Sequence, residues 1–141
     1  MVFITAAVVL AVYQLSKFLA VKNLTLGESY PLVKGVFHLT LVYNRGAAFG
    51  ILKNQLSLFI VAAIFASVLI LSSLRAHAAD RVYRCALSLI LGGALGNLAD
   101  RVLIGSVVDF LDFRVWPVFN LADSAITIGA VILGIAILRN K

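Results

Sequence analysis

Four apolar stretches, each close to the length of a bilayer crossing, limit what this chain can fold into. They cover about residues 2–20, 56–74, 85–104 and 118–138. A helix needs roughly 20 mostly apolar residues to cross about 30 Å of hydrocarbon. Inside lipid every backbone polar group must be satisfied within the segment, which leaves helices as the reading for runs of this length. Composition agrees: 62% of the 141 residues are hydrophobic and 13% charged, against about 45–50% and about 25% in a soluble domain. The length fits a single domain over 1–141.

Basic residues set the expected orientation. The connection at 75–84 holds Arg75, Arg81 and Arg84, and the tail adds Arg139 and Lys141. Both belong on the cytoplasmic side. That puts both termini inside and leaves 21–55 and 105–117 outside. The first stretch lacks a basic leader and a small-residue cleavage site, so it reads as a span and not a removable signal peptide. In the outer segments VFHLTLVY at 36–43 and VVDFLDF at 107–113 alternate and are rich in β-branched and aromatic residues. They predict short strands at the outer membrane surface, the first bounded by Pro31 and Gly35, the second by Gly105 and Pro117. The fold class expected is an all-α membrane protein of four spans with a small extracytoplasmic sheet. The net charge of +6 does not indicate nucleic acid, because the basic residues flank apolar runs and form no patch.

Polar residues inside or at the edge of spans cost about 2.5–3.5 kcal/mol each when ionisable. Here they gather at one depth. Lys17 lies near the outer end of the first span. Asn97, Asp100 and Arg101 lie near the outer end of the third, Asn120 and Asp123 near the outer start of the fourth, and Asp109 in the outer loop. Asn97 and Arg101 share a helix face with Gly93, where a neighbouring helix can approach closely. Asn120 and Asp123 stand one turn apart, with Thr127 a turn deeper.

Two carboxylates converging at a partly desolvated site share a proton. One can act as general base on water while the other, protonated, polarises a scissile carbonyl. Asp109, Asp123 and Asp100 are the candidates. Other chemistries are poorly supplied. His38 and His77 fall on opposite sides of the membrane, so no metal site is expected. Ser106 and Ser124 have no evident histidine partner, and Ser124 reads as a helix-packing hydroxyl. The single cysteine, Cys85, reads as a small buried hydrophobe. No cofactor ligand set is visible.

The runs QLSK at 14–17, NRGAAFG at 44–50, GGALGNLADR at 92–101, VVDF at 107–110 and FNLADSAITIG at 119–129 stand in order on the four spans. In these motifs the chain resembles lipoprotein signal peptidase (signal peptidase II) over nearly its whole length. The resemblance implies four spans, an outer β-sheet cradle and a surface helix. It implies an aspartic endopeptidase of the bacterial inner membrane that cuts diacylglyceryl-modified prolipoproteins before the lipidated cysteine. The catalytic aspartates correspond to Asp109 and Asp123. Asn44, Gly46, Asn97, Arg101 and Asn120 match positions that line the site and hold substrate backbone. Lys17 and Asp100 match supporting residues, with Asp100 expected to pair with Arg101 or Arg45. The expected partners are a lipidated prolipoprotein and membrane lipid, with the enzyme acting as a monomer.

One position departs from the pattern. The family's first motif begins with an aspartate four residues before its lysine, and Tyr13 stands there. Tyr13 can hydrogen-bond but cannot neutralise Lys17. An impaired, lipopeptide-binding member of the family is therefore a second reading, under which Tyr13→Asp restores cleavage. A third, from another class, is a small transporter or channel subunit using the same polar cluster; the lack of an inverted repeat counts against it.

Overall fold

A computed structural model describes residues 2–47, 51–76 and 80–139. The elements run α1 (Val2–Asn23), β1 (Ser29–Val33), β2 (Phe37–Asn44), α2 (Leu56–Ala76), α3 (Arg81–Ile104), β3 (Val107–Asp112) and α4 (Leu121–Arg139). All four helices are long and apolar enough to span a membrane. Their exposed faces carry large apolar side chains such as Phe65, Val102 and Leu138, the arrangement lipid favours and water does not.

Helix α3 is the hub and packs against the other three. Its small residues explain why. A Cβ on Gly92 would meet the Ala6 carbonyl oxygen of α1 at 2.8 Å, and one on Gly93 would strike the Ala122 carbonyl of α4. Without attraction from water exclusion between spans, such close backbone approach supplies the packing energy. The ends of α3 are fixed locally. The Asp80 side chain accepts from the Tyr83 N–H at the start, and Gly105 adopts φ 72° at the end, a left-handed cap that glycine takes without strain. Ser67 and Ser72 in α2 donate to the carbonyls of Ala63 and Val68, satisfying their hydroxyls within the span.

The three strands form an antiparallel sheet in the order β1-β2-β3. Val42 pairs with Asp109 and Asn44 with Val107, with a register shift between Leu39 and Val42. Ala20 of α1 packs with Leu41, Val108 and Phe110 into a cluster on one sheet face. By chain order the sheet lies where α1 and α3 end and α2 and α4 begin. A second cluster, including Val2, Ala6, Ile70, Leu74 and Leu87, closes the opposite end.

Several expectations need correction. Pro31 does not bound a strand; it lies inside β1, tolerated because β1 is an edge. The fourth helix begins at Leu121 and not near 118, since Phe119 donates its N–H to the Leu111 carbonyl and continues the β3 ladder. Cys85 is exposed and not buried; on a membrane helix an apolar residue faces lipid as readily as protein. No surface helix occurs among the described residues, where 51–54 form turns. His77 and the 48–50 part of the NRGAAFG run lie outside the described residues.

Candidate active site

Asp109 comes from β3 and Asp123 from the first turn of α4, and Asn120 joins them. Its amide Nδ2 donates to Asp109 Oδ1 at 2.7 Å and to Asn97 Oδ1 at 3.1 Å. Its Oδ1 accepts from the Asp123 backbone N–H at 2.9 Å, while the Asn120 N–H donates to Asp123 Oδ2 at 3.3 Å. That reciprocal pair is a capping box, with Asn120 as cap and Asp123 three residues on. Asn120 thus precedes the helix instead of occupying its first turn, as the spacing alone had suggested.

Two further amides complete the frame. Asn97 on α3 donates to Asp123 Oδ1 at 2.7 Å. Asn44 at the end of β2 donates to Asp109 Oδ2 at 3.0 Å, and its own Oδ1 accepts from the Gly46 N–H at 2.9 Å. Every carboxylate oxygen therefore has one protein donor. Each oxygen offers about two lone-pair directions, so one remains for water or substrate. Gly46 is buried, and a Cβ there would meet the Ile51 carbonyl oxygen at 2.8 Å. Only glycine lets this turn close around Asn44.

Burial governs the electrostatics. Asp109 is 2% exposed. Its carboxyl is pushed up to about 7, chiefly by burial and further by the nearby Asp123 charge. The bonds from Asn44 and Asn120 and the Arg101 charge pull the other way. A shared proton near neutral pH is what a carboxylate pair needs for amide hydrolysis.

The two aspartates open into a cavity of about 220 Å³ together with Asn44, Gly46, Asn97 and Arg101. Phe59, Trp116, Pro117 and Phe119 also line it. The Arg101 guanidinium lies 4.9 Å from the Phe59 ring centroid, a cation–π contact that steadies it over the cavity. Phe59 and Trp116 were not singled out from sequence. An aromatic in an apolar run or a loop gives no signal of its direction. A larger space of about 410 Å³, walled by Phe113, Thr127 and Ile128, shares Trp116, Phe119 and Asp123 with the first.

Asp100 belongs to a different arrangement. Fully buried, it accepts from Tyr13 Oη at 2.6 Å, Lys17 Nζ at 2.7 Å and the Val108 N–H at 3.1 Å. Its ionic partner is thus Lys17, not Arg101 or Arg45 as expected. The same contact supplies Lys17 with the counter-charge that Tyr13 cannot. Asp100 anchors the backbone of β3 one residue before Asp109. Ser124 donates back to the Asn120 carbonyl, consistent with a packing hydroxyl. Among the described residues no group of three or more His, Cys, Asp or Glu is gathered as a metal would require.

Comparison with known proteins shows the family. The family described as Signal peptidase (SPase) II matches residues 5–139. The chain is 50% identical over 129 residues to the lipoprotein signal peptidase of Moorella thermoacetica, covering 91% of this chain and 86% of that relative. To that of Pelotomaculum thermopropionicum it is 46% identical over 140 residues, covering 99% and 92%. A solved bacterial membrane enzyme superposes with a TM-score of 0.93 at 33% identity, covering 99% of this chain and 88% of that one.

Proposed function

Because the chain belongs to the signal peptidase II family of aspartic peptidases, we propose that Asp109 and Asp123 are the pair with which it cuts prolipoproteins. It is a multi-pass membrane enzyme, a lipoprotein signal peptidase. The observation that carries the site assignment is the single asparagine, Asn120, bonded to both carboxylates at the wall of one cavity.

In the proposed reaction a water lies between the two aspartates. The ionised carboxylate takes a proton from it as its oxygen attacks the scissile carbonyl carbon. The protonated partner gives its proton to the carbonyl oxygen. Collapse of the tetrahedral intermediate breaks the C–N bond: the leaving amine takes the proton first removed from water, and a hydroxyl of the intermediate returns a proton to the second aspartate. Burial raises the Asp109 carboxyl, so it can hold the shared proton near neutral pH. Asn44, Asn97 and Asn120 hold both carboxylates in place before substrate arrives, so little reorganisation is left to the reaction itself. Arg101, at the cavity wall, is suited to a substrate backbone carbonyl.

The cut falls before a cysteine carrying diacylglycerol, under the same proposal. The apolar space walled by Phe113, Thr127 and Ile128 meets the dyad at Asp123, which suits acyl chains entering sideways past α4. Orientation follows the positive-inside rule. Arg75, Arg81, Arg84 and Arg139 stand at or beside the helix ends away from the sheet, so both termini are cytoplasmic and the dyad faces outward. Under the same proposal the enzyme acts as a monomer; the dyad and its three asparagines are complete within one chain and need no second subunit.

The experiment is cleavage of a diacylglyceryl-modified prolipoprotein by the purified protein in detergent, beside Asp109→Asn and Asp123→Asn. Each variant is expected to lose at least about a hundredfold in rate. Near-parental cleavage by either one sinks the assignment.

A further inference from the structure

Val108 and Asp109 are neighbours on β3 and point to opposite faces of the sheet. Asp109 faces the 220 Å³ cavity; Val108 helps line a second one of about 910 Å³. This groove lies between the outer end of α1 and the sheet, and the mechanism makes no use of it.

Its walls are apolar. Phe18, Val21, Leu26 and Ile104 are all exposed, as a surface facing hydrocarbon requires. Cations mark it as well. Lys17 and Arg45 line it, and Lys22 reaches over the Phe18 ring at 5.9 Å. Lys17 uses one of its three donors on Asp100. Arg45 is exposed and forms no salt bridge among the described residues. Against these cations stand Asp100, already paired with Lys17, and Glu28, exposed beside the lining Gly27. Tyr43 also lines the groove and is part exposed. Tyrosine favours the depth of lipid headgroups, with its ring apolar and its hydroxyl wet.

A trough with hydrocarbon-facing walls and a basic mouth at headgroup depth matches one kind of molecule, an acyl chain ending in an anion. We propose that this groove holds an anionic phospholipid of the outer leaflet, its phosphate at Arg45 and Lys17 and one acyl chain along Phe18 and Val21. A diacylglyceryl group attached to a peptide is uncharged at its glycerol and gives the cations no partner. Val42, Tyr43 and Arg45 also border a space reached by Asp109, so the groove adjoins the site; lipid retention is read apart from cleavage, and its outcome leaves the dyad assignment untouched.

The test is native mass spectrometry of the delipidated full-length protein titrated with dioleoylphosphatidylglycerol or dioleoylphosphatidylcholine. The parent is expected to retain the anionic lipid in preference to the zwitterionic one. Arg45→Gln should lower that retention about fivefold, the effect of one basic residue near a lipid surface. Val21→Trp, which fills the trough from an exposed helix position, should lower it without changing charge. Lys34→Gln, in the β1–β2 hairpin outside the groove, should leave it unchanged. Equal retention of the two lipids overturns the proposal. So does indifference to both groove variants, or an equal loss in Lys34→Gln, which would mark general surface attraction.

Discussion

Replacing Tyr13 separates two accounts of the residue that stands where the family has an aspartate. In the fold its side chain is completely buried. Its hydroxyl donates to Asp100 at 2.6 Å, and its ring lies where a Cβ on Gly96 would meet Cδ1 at 2.7 Å. Tyr13→Phe keeps the ring and deletes one of three donors to a buried carboxylate. A hydrogen bond to a charged group contributes ~1.5–3 kcal/mol, so the variant should lose about 2 kcal/mol. Lys17 and the Val108 N–H still hold Asp100, so β3 keeps its place and cleavage should fall less than about tenfold. Tyr13→Asp does more. Truncating a buried aromatic costs ~3–5 kcal/mol, and the new carboxylate stands beside Asp100 with one lysine to serve both. That approaches the whole stability of an ordinary domain, ~5–15 kcal/mol. Thermal unfolding in detergent and the cleavage rate should therefore rank parent, then Tyr13→Phe, then Tyr13→Asp. A Tyr13→Asp protein that is more stable and faster than the parent refutes this account and makes the tyrosine a handicap.

Three other outcomes follow from the same geometry. Asp109, ordinarily near 3.8, is pushed up to about 7 mainly by burial. Between those values the folded state keeps a proton that the unfolded chain has released, so this group's share of stability is full below about pH 4 and lost as pH rises through about 7. Unfolding midpoints against pH should slope downward across that window in the parent and flatten in Asp109→Asn; parallel curves would contradict it. Gly93→Ala sets a methyl against the Ala122 backbone and should destabilise by ~1–3 kcal/mol, the usual cost of overpacking; an unshifted melting temperature would show that α3 and α4 can part without penalty. Asn120→Ala removes the α4 cap, at ~1 kcal/mol, along with a donor to Asp109. It should depress cleavage far more than stability, and an equal fall in both would make Asn120 merely structural.

Much of this molecule was legible in its sequence, for physical reasons that differ by element. The four spans declare themselves by length and hydropathy, and β2 and β3 by alternation. Strand β1 did not, because its residues are all exposed and its proline reads as a boundary. The start of α4 was displaced because hydropathy continues through Val118 and Phe119, whose ladder with β3 only the fold supplies. At the site, Asn97, Asn120 and both aspartates stood out as polar groups at one depth. The pairing of Asp100 with Lys17 spans 83 positions. It depends on the rotational phase of two helices, which spacing along either one does not determine. Cys85 misled because burial rules drawn from water do not say which face of a span meets lipid.

Asn120 has two employments, as the start of a helix and as the brace of a carboxylate pair. An inhibitor that draws its affinity from the two carboxylates Asn120 braces would leave the enzyme a poor choice of escape mutations at that residue. Serine, threonine or aspartate could still cap α4, but none offers a side-chain amide that donates to Asp109 and Asn97 while its oxygen accepts from the Asp123 N–H. Glutamine offers the amide at the wrong reach. Resistance would then have to arise elsewhere around the cavity, at a residue such as Phe59, whose apolar ring shapes the space.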